Sequence, residues 1–258
     1  MNYFRGLNTV TLAFFISGLS AFCSAQDDHT ILLYTFATET GKVVKDLSGK
    51  GNNGKFAGEK LSWGKGKFDG GLVFGGNGPR DHIVVPDSES LWLKDGLTVE
   101  MWVYLNFWST AGGTGVTKEK SYKVGPQSAG RTVLRLTTDE KDWGNAALTS
   151  NTDIPTKSWH HLAGTYDAKS GQAKVYLDGK LDGKIKIGGT IISNNDMLWL
   201  GRGQGPFLDG RMDEVRISNI ARTEDEIRTL MDQGIEGVLA VSPKSKLTST
   251  WGYLKVRR

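Results

Sequence analysis

The chain has 258 residues, 38% of them hydrophobic, 10% aromatic and 23% charged, with 34 Gly, 8 Trp, 10 Phe and 7 Tyr. So much aromatic surface excludes disorder over most of the length, six Pro without a Gly-X-Y period exclude a collagen-like fibre, and one Cys excludes a disulfide framework or a Cys-based zinc site. The formal charge of +4 is concentrated at the ends: setting aside Arg5 and the five cations of the last 18 residues leaves 26 basic against 28 acidic residues, a net −2, in residues 26–240, which is no nucleic-acid-binding surface.

From the N-terminus, Arg5, the apolar run Val10–Ile16 and the small residues up to Cys23-Ser-Ala25 predict a secretory signal peptide over residues 1–25. The run is shorter than the ~20 residues of a membrane span, so the mature chain is expected to have none. Phe22 before Cys23 disfavours lipid attachment there. A cut after Ala25 removes the only Cys, which suits a secreted or bacterial cell-envelope protein.

Short strand signals separated by turns then follow. They cover Thr30–Phe36, Leu72–Phe74, His82–Val85, Thr98–Tyr104, Thr132–Leu136, Trp159–Tyr166, Ala173–Leu177, Leu198–Leu200 and Arg211–Ser218. Asp178-Gly179 predicts a two-residue hairpin, because both central positions need positive φ. Residues 106–130 and Asp139–Asn145 are expected to be long polar loops. Thr223-Glu-Asp-Glu226 is a capping box opening one short helix that Gly234 should end, packed over one end of the molecule. With no linker between them, these elements predict one all-β domain over 26–240, a two-sheet antiparallel jelly-roll sandwich with one short C-terminal helix. Residues 241–258 are a basic tail.

The order of the segments resembles the laminin-G-like jelly-roll domains of the concanavalin A-like lectin/glucanase superfamily. The matching pieces are Asp46–Gly54, Gly70–Phe74, Asp81–Asp87, Leu97–Tyr104, Trp159–Asp167, Val175–Lys180, Leu200–Gly203 and Gly210–Ile217. The resemblance implies the fold and leaves activity open, because this fold hosts lectins, adhesion modules and enzymes.

Glycoside hydrolysis needs two carboxylates across the scissile bond, and no Glu-x-Asp-x-x-Glu segment like that of the laminarinase-type relatives is present. Glu100 stands alone among apolar residues, and Asp213 and Glu214, adjacent on a strand, should face opposite ways. The same rule makes His160-His161 a poor metal pincer, and no Gly-x-Ser-x-Gly elbow exists. The resemblance also implies a structural calcium, held by Asp46 with Asn52 or Asn53, and Asp213 close by if the terminal strands pair. Asp81 resembles the start of a pentraxin-type calcium rim, but Arg202-Gly-Gln-Gly205 replaces the acidic cluster completing it. Sugar sites combine an aromatic plane with polar groups. The two predicted loops supply Trp108, Trp143 and Asn145, and Arg131 and Arg135 share one strand face. The sequence therefore predicts an exported, non-catalytic lectin-like module binding carbohydrate or an envelope or matrix component. A protein-binding adhesion module and a glycoside hydrolase with unrecognised carboxylates are the alternatives.

Overall fold

A computed structural model of the chain describes residues 27–240 apart from 38–39, 109–114, 128–129, 144–145 and 204. The signal segment, the basic tail and Asn145 therefore lie outside the described residues. Sixteen strands follow in chain order: β1 Thr30–Tyr34, β2 Val43–Val44, β3 Gly54–Ala57, β4 Ser62–Lys65, β5 Gly70–Gly75, β6 His82–Val85, β7 Gly96–Leu105 and β8 Val116–Lys118. Then come β9 Tyr122–Gln127, β10 Arg131–Leu136, β11 Ala147–Asp153, β12 Trp159–Asp167, β13 Gln172–Leu177, β14 Lys180–Lys186, β15 Leu198–Leu200 and β16 Asp209–Ser218. Among the described residues one α-helix, α1, spans Glu224–Ala240, and a single 3-10 turn spans Glu89–Leu91.

The strands form two antiparallel sheets. Sheet A runs β14-β13-β12-β7-β16-β5-β4, with β1 also on β16; sheet B runs β11-β10-β9-β8-β15-β6-β3-β2. Alternation along each strand decides which side is buried. Leu97, Val99, Met101 and Val103 of β7 and Leu162 and Tyr166 of β12 face Val116, Val124, Leu134, Leu198 and Leu200 of sheet B in one apolar core. Each such side chain contributes about 1.5–3 kcal/mol by leaving water. At Gly164 the sheets approach so closely that an added Cβ would lie 2.9 Å from a Val124 methyl.

The two-sheet sandwich matches the sequence expectation, and the Asp178-Gly179 turn has φ of 49° and 70° as the hairpin requires. Residues 106–130, expected to be loop, contain β8 and β9. Lys118, Glu119, Lys120, Gly125 and Pro126 hide them, being residues that strands disfavour. The capping box forms: Glu226 Oε2 accepts from Thr223 N at 2.8 Å, and Thr223 Oγ1 accepts from Glu226 N at 3.3 Å. Gly234 ends the first helical run as expected, at φ 67° and ψ 169°, and a second run follows it to Ala240. The helix also lies on the outer face of sheet A and not over an end: Ile227 packs on Ala163 and Tyr176, and Leu230 and Ile235 on Leu33.

Candidate functional site

Four stretches meet at one rim of the sandwich: 75–78, 105–108, 126–127 and 207–209. They enclose a groove of about 280 Å3 lined by Asn77, Phe107, Trp108, Gln127, Phe207 and Asp209 among others. Phe107 is 59% exposed and Trp108 42% exposed, unusual for aromatic side chains in a domain with so full a core. The Trp108 indole is nevertheless fixed. Its Nε1 donates to the Ile154 carbonyl at 2.8 Å, and its ring lies so close over Gly130, at φ 72°, that a Cβ there would come within 2.4 Å. Around it, Asn106 Nδ2 donates to Asp209 Oδ1 at 2.5 Å, and Asn77 Oδ1 accepts from Phe207 N at 2.8 Å. Past Phe207 the groove continues into a depression of about 400 Å3 lined by Asn77, Arg80, Arg202, Gly205 and Phe207.

From this rim the outer face of sheet B carries a straight cross-strand row. Val84, Trp199, Thr117, Lys123 and Arg135 lie opposite one another on β6, β15, β8, β9 and β10. Arg202 joins row and rim, its guanidinium 4.0 Å from the Trp199 ring and 5.7 Å from that of Phe207. At the far end the Arg135 guanidinium lies 5.8 Å from the Trp143 ring. Thr117 Oγ1, Arg135 Nε and Trp143 Nε1 have no hydrogen-bond partner among the described residues. Burial, and then the Arg135 charge, bring the Lys123 ammonium down to about 8 against the opposing pull of Glu119.

The residues singled out for ligand binding thus fall in two places. Trp108 is in the rim groove. Arg135 and Trp143 sit together on the sheet face, and Arg131, exposed on the same strand, pairs with Asp153 at 2.9 Å. Phe107, Phe207, Arg80, Arg202 and Trp199 were not foreseen. Only their pairing across distant loops marks them, and no local pattern carries that.

The residues proposed for calcium do not fit an ion. Asp46 Oδ1 accepts from Leu33 N at 3.0 Å and Ser48 N at 2.8 Å, and Oδ2 from Ser48 Oγ at 2.6 Å and Asn52 N at 2.8 Å. Asn53 Oδ1 accepts from Asp46 N and Asn52 Oδ1 from Ser88 Oγ. Every carboxylate and amide oxygen is already engaged, so the segment is a hydrogen-bonded knot on β1. Asp213 serves another loop, accepting from Lys67 N at 2.8 Å and Phe68 N at 3.1 Å. No group of three His, Cys, Asp or Glu positioned for a metal occurs among the described residues.

Asp213 and Glu214 need a correction as well. A bulge in the pairing of β16 with β7 places Glu214 at φ 52°. Both carboxyls therefore meet the outer side of sheet A, Asp213 under residues 66–68 and Glu214 accepting from Ile235 N of α1. Burial raises them to about 6 and about 8, respectively. Beside them Glu100, wholly buried, holds Arg216 at 2.6 Å and lies 3.5 Å from His161. These groups lie on the outer side of sheet A, and none of them lines the rim groove.

Two antiparallel sheets packed face to face define the jelly-roll class of sandwich. The sequence pattern of the concanavalin A-like lectin/glucanases superfamily matches residues 75–228, and the chain belongs to that superfamily. Among solved structures it is similar to domain 4 of AbnA, a GH43 extracellular arabinanase from Geobacillus stearothermophilus, in complex with arabinotriose. The two share 22% identity and a TM-score of 0.63, over 79% of this chain and 98% of that one. It is similar also to the binding domain of Paraclostridial Mosquitocidal Protein 1, at 16% identity and TM-score 0.64, over 79% and 52% of the two chains. The binding domain of Botulinum Neurotoxin DC in complex with SialylT shows 17% identity and TM-score 0.59, over 80% and 51%. The chain spans about half the length of these two toxin domains. At these identities the likeness is one of fold. No curated protein matches the sequence. No helix among the described residues is long and apolar enough to cross a membrane.

Proposed function

We propose that this protein is an exported, non-catalytic lectin-like module that binds carbohydrate of a cell envelope or matrix in the rim groove. The observation that carries the reading is the exposure of Phe107 and Trp108 beside Phe207 in a groove edged by Asn77, Gln127 and Asp209. A sugar ring offers C–H faces to aromatic planes and hydroxyl edges to amides and carboxylates, so this mixture suits it. The arabinotriose held by the AbnA domain and the SialylT held by the toxin domain lend support from relatives of the same fold. A non-catalytic role is supported by the state of Glu100, Asp213 and Glu214, each buried and engaged by the protein itself. The signal segment supports export, and sequencing the N-terminus of secreted protein should find Gln26 first.

Binding to immobilised polysaccharides tests the groove. Trp108→Ala should reduce affinity about tenfold or more, as removal of a central Trp anchor does, with the melting temperature of the domain little changed. Wild-type protein that binds no glycan while retaining a protein ligand would replace this reading with that of an adhesion module.

A further inference from the structure

The depression beyond Phe207 has a charge character that the aromatic groove does not explain. Arg80 is exposed there on a left-handed backbone, φ 56°. Arg202 is half-buried and held in place by the rings of Trp199 and Phe207. Neither guanidinium has an ion-pair partner among the described residues, where six other pairs of a Lys or Arg side chain with a carboxylate do form.

The surrounding groups do not neutralise the two charges. His82 Nδ1 donates to the Arg80 carbonyl at 2.8 Å, so Nε2 is the acceptor facing Arg202 Nη1 at 3.5 Å. Burial, with Arg202 adding to it, keeps this imidazole below its ordinary range and hence neutral at pH 7. Asp81, next to Arg80 in the chain, is fully buried and turned inward: its oxygens accept from Lys60 N at 2.8 Å and Gly75 N at 2.9 Å. Asp209 lies on the Trp108 side, bonded to Asn106. Asn77, its Oδ1 occupied by Phe207 N, retains its amide N–H groups as donors. Two guanidinium groups without an ion pair among the described residues and an amide donor thus surround one aromatic ring.

We propose that this depression is an anion subsite of the glycan groove, in which Arg80 and Arg202 take the carboxylate or sulfate of an acidic sugar directly, with its ring against Phe207 and no bridging calcium. The proposal deepens the glycan-binding reading and rests on it. Guanidinium forks match the paired oxygens of carboxylates and sulfates, and such charge-assisted bonds are about twice as strong as neutral ones. Ring stacking adds the second half of the recognition, because it fixes where the acid of a stacked sugar must fall.

Calorimetry on the secreted protein should compare a galacturonan oligosaccharide, a sulfated galactan oligosaccharide and a neutral galactan oligosaccharide, in EDTA and in calcium. At least one acidic probe should bind about tenfold tighter than the neutral one, equally in either buffer, and whichever wins identifies carboxylate or sulfate. Arg80→Asn, which tolerates the left-handed backbone, and Arg202→Gln should each remove most of that advantage and leave weak neutral binding. Arg211→Gln, a cation over Tyr104 on sheet A, should change nothing. Equal binding of neutral and acidic probes, a requirement for calcium, or full acidic affinity in Arg80→Asn would each overturn the subsite while leaving the glycan reading standing. Silence toward all three probes would overturn both.

Discussion

On the outer face of sheet A, Glu100 holds Arg216 at 2.6 Å with helix α1 folded against the same face, whereas on the outer face of sheet B Lys123 and Arg135 are direct cross-strand neighbours of like charge. Both faces bury ionisable groups, but the first seats its buried carboxylate on an arginine, whereas the second places two cations side by side. Glu100 is pushed up by burial and pulled back by Arg216. His161 is kept neutral, at about 3, by burial and then by Arg216. A charge paired in the interior belongs to the fold, because removing its partner leaves an uncompensated ion. Cations crowded together oppose folding, an opposition that Glu119 offsets only in part at Lys123, and such perturbed groups mark binding surfaces. The comparison therefore separates charges by role, and it can be broken by mutation.

The largest effect is expected at Glu100. Glu100→Ala strands Arg216 beneath the helix and should cost about 3–5 kcal/mol in denaturant unfolding, while Arg202→Gln at the rim should stay within about 0.5 kcal/mol. Replacing Glu100 and Arg216 together by Met should recover most of the loss. If Arg202→Gln proved the more damaging, the division between structural and functional charge would fail.

Asp46 should come next. Asp46→Ala deletes the acceptor for four donors at once and should destabilise by about 3 kcal/mol, since hydrogen bonds to a charged group are worth roughly 1.5–3 kcal/mol each before relaxation. Because those donors leave no oxygen for an ion, calcium and EDTA should leave the wild-type melting temperature unchanged. A rise with calcium would mean that the knot opens to admit it.

The third test uses pH. Folded Glu214 keeps its proton to about pH 8, because burial raises it and Asp213, Glu236 and Asp69 add like charge, whereas an unfolded glutamate releases its proton near 4.5. That stability is complete below the unfolded value and is lost as pH rises through the folded one. Asp213, at about 6, acts at lower pH. His161, at about 3 folded and 6.5 unfolded, contributes the opposite slope only below 6.5. Lys123, at about 8 folded and 10.5 unfolded, acts chiefly above 8. Between pH 6.5 and 8 the melting temperature should therefore fall, and Glu214→Gln, whose amide oxygen can still accept from Ile235 N, should flatten that fall. An equal fall in the variant would put the proton elsewhere.

How much of this was legible in the sequence follows the range of each signal. Strands with clean alternation, such as Thr98–Tyr104, and the Thr223–Glu226 cap are written within a few residues, and both formed where expected. Strands β8 and β9 were missed because Lys118 is buried through its pair with Asp87 at 2.6 Å, a partner 31 residues away. The opposed faces assigned to Asp213 and Glu214 failed because a bulge breaks the two-residue period. At the site, Trp108 was visible as an aromatic at the start of a polar stretch. Phe207 and Arg202 were not, since only the fold brings Phe207 to Trp108 and Arg202 to Phe207.

A smaller loss of stability than at Glu100 or Asp46 should fall on the residue that links packing to binding most directly. Gly130 sits at φ 72°, with a Cβ position 2.4 Å from Trp108 Cε2 and 2.6 Å from Nε1. Gly130→Ala incurs about 1–2 kcal/mol for a left-handed alanine, and the indole must also swing away, giving up its bond to the Ile154 carbonyl. The Trp108 indole N–H should then exchange quickly with water by NMR, and glycan affinity should drop as far as in Trp108→Ala, although residue 130 offers a ligand nothing but backbone. Displaced indole with unchanged affinity would show that the groove reads Phe107 and Phe207 and not the orientation of Trp108. Retained indole protection with lost affinity would instead place the ligand on the 126–131 connection itself.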